Sequence, residues 1–200
     1  MDIKKVGIYR QEKFFYSDKK PYFPQMKKIF FLNSTLNVGG SERMLYEMIM
    51  KLDKNRFEMQ VLCLYKPGFF GEKLISNGIS LMHSFMRNKF DLIGACRLLF
   101  FLKKDNPDLL WIGHSPLTLF WGFLFGRIAR IPFLLTIVQG MRRETRWNDF
   151  KSWIIDKQIL RRLDMVAVVS KAKFNSLQRE YNLGVRKLML IHNTVDVNMF

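Results

Sequence analysis

The feature that most constrains this chain is an alternation of short apolar runs with longer segments whose apolar residues recur at helical spacing. Ile29–Asn33 is the first short run, bounded by polar residues as a strand buried on both faces would be. Ser41–Leu52 follows as a helix, with Met44, Leu45, Met48, Ile49 and Leu52 on one stripe. Met59–Tyr65 reads as a strand, Pro67-Gly68 as a loop, Gly71–Ser76 as a short helix and Ile79–Met82 as a short strand. Asp91–Lys104 is a helix with basic residues in its last turn, stopped by Asp105-Asn106-Pro107. The pattern then gives Leu109–Ile112 (strand), Leu117–Ala129 (helix), Phe133–Val138 (strand) and Trp147–Leu163 (helix). It continues with Met165–Val169 (strand), Lys171–Tyr181 (helix, closed by Asn182-Leu183-Gly184) and Leu188–Ile191 (strand). Strands alternating with helices imply an α/β fold with a doubly wound, mainly parallel sheet. Such sheets bind ligands outside the carboxyl ends of their strands. The loops after Asn33, Ile112, Val138, Val169 and Ile191 are therefore the places to look.

A chain of 200 residues, 48% hydrophobic and 25% charged, can build one domain with a sizeable core, which excludes disorder for most of its length. Residues 1–25 depart from the pattern. They hold Pro21, Pro24, many charges and no sustained period, and do not read as a secretory signal. They form an N-terminal extension, either a tail or a stretch upstream of a true start at Met26, and residues 26–200 form the domain. Leu117–Val138 is the most membrane-like stretch, but Arg127 and Arg130 would each cost about 2.5–3.5 kcal/mol at a bilayer midplane. Pro132 interrupts it as well, so it reads as a buried helix followed by a buried strand. Phe120, Trp121, Phe123 and Phe125 lie on that helix, where core packing is favoured over a membrane-facing patch.

Charge is the unusual quantity. Lys and Arg number 33 against 17 for Asp and Glu, a formal net charge of +16. Such a surface suits anionic partners: nucleic acid, an anionic membrane surface or phosphorylated substrates. No nucleic-acid motif accompanies the charge, so nucleic acid is not expected. Cys63 and Cys96 fit no metal or redox spacing, and both sit in apolar stretches that predict core packing. His83, His114 and His192 have no metal-ligand spacing either, so neither a metal nor a cofactor is expected.

The loop after the first strand reads Asn33-Ser34-Thr35-Leu36-Asn37-Val38-Gly39-Gly40-Ser41-Glu42-Arg43. Two glycines before a helix allow close backbone approach, and the helix N-terminus offers free N–H groups to an anion such as a diphosphate. A plain strand-to-helix turn has the same spacing. The dinucleotide fingerprint G-x-G-x-x-G is absent, and the second strand ends Leu64-Tyr65-Lys66 without its acidic residue. The Gly-Lys-Ser/Thr ending of a P-loop is absent too. A nicotinamide oxidoreductase or an ATPase is therefore disfavoured.

Four segments in order carry a resemblance. Met26-Lys27-Lys28-Ile29 through Asn37-Val38-Gly39-Gly40-Ser41-Glu42-Arg43 resembles the N-x-G-G-[AS]-E-R opening of family-4-type glycosyltransferases. Asn106-Pro107-Asp108-Leu109-Leu110 resembles their K-P-D-V-V segment, and Asp164-Met165-Val166-Ala167-Val168-Val169-Ser170 their D-x-V-I-A-V-S segment. Ile191-His192-Asn193-Thr194-Val195-Asp196, with Phe200, resembles their I-P-N-G-V-D-x-x-x-F junction. The resemblance covers Met26–Phe200. It implies the Rossmann-like N-terminal, acceptor-side half of a two-domain GT-B fold, whose donor-binding half with its paired glutamates would lie beyond Phe200 or be separately encoded. It further implies a retaining glycosyltransferase acting in cell-surface polysaccharide biosynthesis. Its substrates would be a nucleotide sugar as donor and a glycan or lipid-linked acceptor. The setting would be cytoplasmic, peripheral on the inner face of the membrane, and this half alone would be inactive. The alternative is a non-catalytic remnant or binding module for an anionic glycan or lipid.

By the same resemblance, Asn37, Gly39 and Gly40 would approach the donor diphosphate, and Asn193 and Asp196 would mark the interdomain junction. Gln139 stands where many family members place a histidine, and Thr194 where the junction has glycine. Glutamine can bind a sugar hydroxyl but cannot serve as acid or base. His114, in the loop Gly113-His114-Ser115-Pro116, either touches the acceptor or is a structural histidine. Arg142 and Arg143, with Arg146 nearby, either form a solvated helix face or recognise an acidic or pyrophosphate-linked acceptor.

Overall fold

Phe30, Phe31 and Leu32 are each fully buried, so both faces of the first strand must be covered and both edges paired. That strand, β1 (Lys28–Asn33), is an interior strand of a sheet in the computed structural model, which describes residues 28–139 and 156–191. The other strands are β2 (Glu58–Cys63), β3 (Ser80–Met82), β4 (Leu109–Ile112), β5 (Phe133–Val138), β6 (Met165–Val168) and β7 (Leu188–Leu190). Their order is β3-β2-β1-β4-β5-β6-β7, and every pairing is parallel. The expected parallel, doubly wound sheet is thus present, with a Rossmann-like strand order.

Alternation along the strands divides the core in two. Phe30, Leu32, Leu62, Leu110 and Ile112 face one side, against buried residues of α3 (Leu92–Asp105) and α4 (Pro116–Ile128). Ile29, Phe31, Val61 and Cys63 face the other, against α1 (Gly40–Lys51) and α2 (Gly68–Ser76). Residues 156–162 form the described part of α5, and α6 is Lys171–Glu180. α4 lies unusually close to the sheet. A Cβ added at Gly122 would stand 2.7 Å from Ile112 Cγ2 and 3.1 Å from Leu32 Cδ2.

β4 and β5 keep the boundaries read from the pattern, and the other described elements shift at their ends. The largest shift is at α2, which begins at Gly68 rather than Gly71. Backbone bonds from Leu36 N to Pro67 O and from Phe70 N to Leu36 O bind this turn to the loop after β1. Asp91 lies outside α3 as its N-cap, its carboxylate accepting from Gly94 N and Arg87 N at 2.8 Å each. These two backbone bonds hold its pKa below the usual carboxylate range.

Two aspartates of the family-like segments are structural. Asp108 Oδ2 accepts from Lys28 N at 2.9 Å, joining the starts of β1 and β4. Asp164 Oδ2 accepts from Leu134 N at 2.9 Å, and its Oδ1 from Arg127 at 3.3 Å. Both lie at the amino ends of the strands, away from the ligand-binding edge. Cys63 is buried as expected, and burial pushes its thiol up to about 12. Cys96 is not in the core but exposed, because it falls on the outer stripe of α3 opposite Ala95, Leu98 and Leu102. On α4, Phe125 enters the core with Trp121 stacked on it at 4.9 Å, while Phe120 stays exposed. Among the described residues no helix is long and apolar enough to cross a membrane. The extension of residues 1–25 and most of the Trp147–Leu163 helix lie outside the described residues.

Candidate functional site

From β1 the chain runs outward to β2 and β3, then returns past β1 to β4 and continues the other way. At this reversal the loops leaving β1 and β4 diverge, and a crevice must open between them. The structure has a cleft of about 160 Å³ there, lined among others by Asn33, Thr35, Glu42, His114, Ser115 and Gln139. Asn33 ends β1, His114 and Ser115 follow β4, Gln139 follows β5, and Glu42 is in the first turn of α1.

The floor is set by one close approach. A Cβ at Gly113 would collide with Asn33 Oδ1 and stand 3.2 Å from Leu32 O, so glycine lets the β4 loop pass against the Asn33 side chain. Gly113 N also donates to Leu32 O at 2.7 Å. Asn33 Nδ2 is buried with no hydrogen-bond partner among the described residues. A buried donor left unmet costs about 1–3 kcal/mol, which an acceptor on a ligand in the cleft would offset. On the far wall Ser115 caps α4, accepting from Thr118 N at 3.3 Å and donating to Thr118 Oγ1 at 2.7 Å. Gln139 Nε2 donates to Met44 Sδ at 3.3 Å, a weak bond that leaves the amide oxygen as acceptor.

The α1 terminus departs from a plain anion cradle. Its N-cap, Gly39, provides no side-chain cap. Instead the Glu42 carboxylate folds back beside Gly39, where an added Cβ would meet Oε2, and it accepts from Ser41 Oγ at 2.7 Å. The carboxylate thus occupies the positive end of the helix dipole itself. Gly39 has φ −173°, extended backbone that any residue adopts, and Gly40 is not among the positive-φ residues. Backbone conformation requires glycine at neither position: a Cβ at Gly39 would meet the Glu42 carboxylate, and one at Gly40 would meet nothing within 4 Å.

The expected residues are distributed as follows. His114 and Gln139 both line the cleft, His114 at its exposed rim. Gly39 and Gly40 lie beside it, next to Ser41 and Glu42, which do line it. Asn37 turns the other way, its Oδ1 against the Gly68 turn. Arg142, Arg143, Asn193 and Asp196 lie outside the described residues. Asn33, Thr35, Glu42 and Ser115 were not singled out from the sequence, although the strand-end rule pointed to the loops that hold Asn33 and Ser115. Among the described residues no group of three or more His, Cys, Asp or Glu is placed to hold a metal ion.

The family model of Glycosyltransferase Family 4 matches residues 38–199. No curated protein sequence matches the chain. Solved structures do. Alr3699/HepE from Anabaena, in complex with UDP-glucose, is 18% identical with a TM-score of 0.68, covering 86% of this chain and 45% of its own. A glycosyltransferase from Rickettsia africae is 18% identical with a TM-score of 0.65, covering 86% and 44%. UDP-GlcNAc 2-epimerase from Neisseria meningitidis, bound to UDP-GlcNAc, is 17% identical with a TM-score of 0.60, covering 84% and 46%. This chain therefore spans less than half the length of each of these structures. At such identities the likeness shows the fold, which glycosyltransferases and sugar-nucleotide epimerases share.

Proposed function

Because this chain belongs to glycosyltransferase family 4, we propose that it is the acceptor-side part of a retaining enzyme that transfers a sugar from a nucleotide-sugar donor to a glycan or lipid-linked acceptor. The observation that carries the proposal is the cleft at the strand reversal, with the unmet Asn33 amide at its floor and His114 and Gln139 on its walls. These groups suit hydroxyl-rich ligands: an amide donor, an amide acceptor and an imidazole spaced around a small polar cavity. Gln139 positions a sugar hydroxyl without exchanging protons. The N-terminus of α1 faces the donor side, and Glu42 leaves it when a diphosphate arrives, since one anion replaces another at the helix dipole. UDP-sugar complexes among the structural neighbours support a nucleotide-sugar donor.

Transfer is tested with this domain joined to a donor domain of the family, supplied with a panel of nucleotide sugars and oligosaccharide or polyprenyl-linked acceptors. Asn33→Ala lowers kcat/KM while the unfolding midpoint is kept, and the product keeps the anomeric configuration of the donor. An inverted product removes the retaining assignment. The fold also admits a 2-epimerase reading, because several structural neighbours are UDP-GlcNAc 2-epimerases. Acceptor-independent conversion of UDP-GlcNAc would decide for that reading and against transfer.

A further inference from the structure

Four large apolar side chains stand in solvent on one face of the molecule. Phe90 is 76% exposed, Leu92 68%, Ile93 77% and Phe100 69%. Phe90 and Leu92 belong to the loop into α3 and its first residue. Ile93, Cys96 and Phe100 follow at helical spacing on its outer stripe, opposite the buried Ala95, Leu98 and Leu102. The exposed Met82, at the carboxyl end of β3, adjoins this stripe across a shallow groove lined also by Phe85, Cys96 and Phe101. A soluble domain gains nothing by leaving such a row in water, and an apolar row rimmed by polar groups marks an interaction surface.

The rim indicates what the partner is. From Arg87 to the end of α3 at Asp105 the sequence has five basic side chains (Arg87, Lys89, Arg97, Lys103 and Lys104) and two acidic, Asp91 and Asp105. The Asp91 carboxylate is turned into the helix cap, bonded to Gly94 N and Arg87 N. Lys89 lies 5.0 Å from the Phe90 ring centroid, so cation and apolar surface are presented together. Apolar side chains that can enter the acyl boundary, flanked by cations at headgroup height, are complementary to an anionic bilayer. Topology adds a constraint. Phe90, Leu92 and Ile93 lie where the chain returns from β3 to α3, at the carboxyl edge of the sheet that also bears the cleft.

We infer that the Phe90–Phe100 face of α3 docks this protein on an anionic lipid surface, with the mouth of the cleft turned toward the same bilayer. This docking is independent of which reaction the cleft performs.

The exposed Cys96 allows a direct test, since the buried, protonated Cys63 does not compete for label. The full chain is labelled at Cys96 with an environment-sensitive fluorophore and mixed with phosphatidylglycerol–phosphatidylcholine vesicles or with pure phosphatidylcholine vesicles. As a control, Asn175→Cys in a Cys96→Ser background places the same label on α6, which packs at the opposite end of the sheet. The expected result is a blue shift at Cys96 with anionic vesicles only, lost at high salt, and little change at position 175. Ile93→Asp with Phe100→Asp lowers vesicle partitioning about ten-fold, with an unchanged unfolding midpoint because both sites are exposed. Equal shifts at the two positions would assign the binding to diffuse charge and overturn the inference. So would a shift at Cys96 that grows with protein concentration without vesicles, which would make the face a contact between copies. No shift at either position would overturn it as well.

Discussion

Gly122→Ala tests how closely α4 is held against the sheet beneath the cleft. In an ordinary helix interior this change stabilises by about 1 kcal/mol, because glycine has the poorer helix propensity. Here the new Cβ would stand 2.7 Å from Ile112 Cγ2, 3.1 Å from Ile112 Cγ1 and 3.1 Å from Leu32 Cδ2. Leu32 and Ile112 are fully buried in neighbouring strands, and a β-branched isoleucine has little rotamer freedom with which to retreat. Overpacking of this kind costs about 1–3 kcal/mol. With two strands blocking retreat the upper end applies, leaving a net loss of about 2 kcal/mol. For a chain of this size that lowers the thermal midpoint by about 4–8 °C. Ile112→Ala removes both crowding γ carbons and alone costs about 2–5 kcal/mol. Combined with Gly122→Ala it costs less than the sum, because the overlap with Ile112, the tightest of the three contacts, is gone. Paired melts of the four proteins measure the cycle. A higher midpoint for Gly122→Ala, or strict additivity with Ile112→Ala, refutes the close approach.

Gly40→Val, at a site with no neighbour within 4 Å and no positive φ, leaves the unfolding midpoint within a degree or so of wild type. In an enzyme completed with a donor domain it raises KM for the nucleotide sugar. A collapsed midpoint with KM unchanged would make Gly40 a turn residue. Thiol titration of the native chain modifies Cys96 alone, and denaturant releases Cys63, whose thiol burial keeps protonated to about 12; two fast native thiols would contradict this. Asp91 has a lowered pKa, so its contribution to stability is present above the usual carboxylate pKa and is lost as pH falls through its own lower value. The difference in urea midpoint between wild type and Asp91→Ala therefore closes on acidification, and a gap that persists in strong acid would remove the charge from the cap.

The parallel sheet was legible because its strands are buried on both faces and stand out as apolar runs between breakers. β4 and β5 kept their predicted ends because Pro107 and Pro132 fix where each begins. The cleft was legible only as a rule about strand ends. That rule found the loops after β1, β4 and β5, but the loop after β6 does not line the cleft, since that strand lies away from the reversal, and the loop after β7 lies outside the described residues. What sequence reading could not supply was contact between distant residues. The need for glycine at Gly113 comes from Asn33, far back in the chain, and the fate of the α1 terminus from how the Glu42 side chain folds. Cys96 was misplaced for a related reason, because an apolar stretch alone does not say which stripe of its helix meets the sheet.

The interior position of β1 also governs the order in which the protein can assemble. One edge of β1 pairs with β2, near in sequence, but the other waits for β4, whose leading Asp108 accepts a bond from Lys28 across 80 positions. During synthesis the β3-β2-β1 half therefore presents a bare and strongly apolar strand edge until the segment around Leu109–Ile112 has emerged. Such an edge is a template for pairing with other chains, and long-range parallel pairing is slow to form. The strand that carries Asn33 into the cleft is thus the one whose second edge closes late. Conditions that delay β4 should appear first as aggregation of nascent chains and only afterwards as loss of ligand binding.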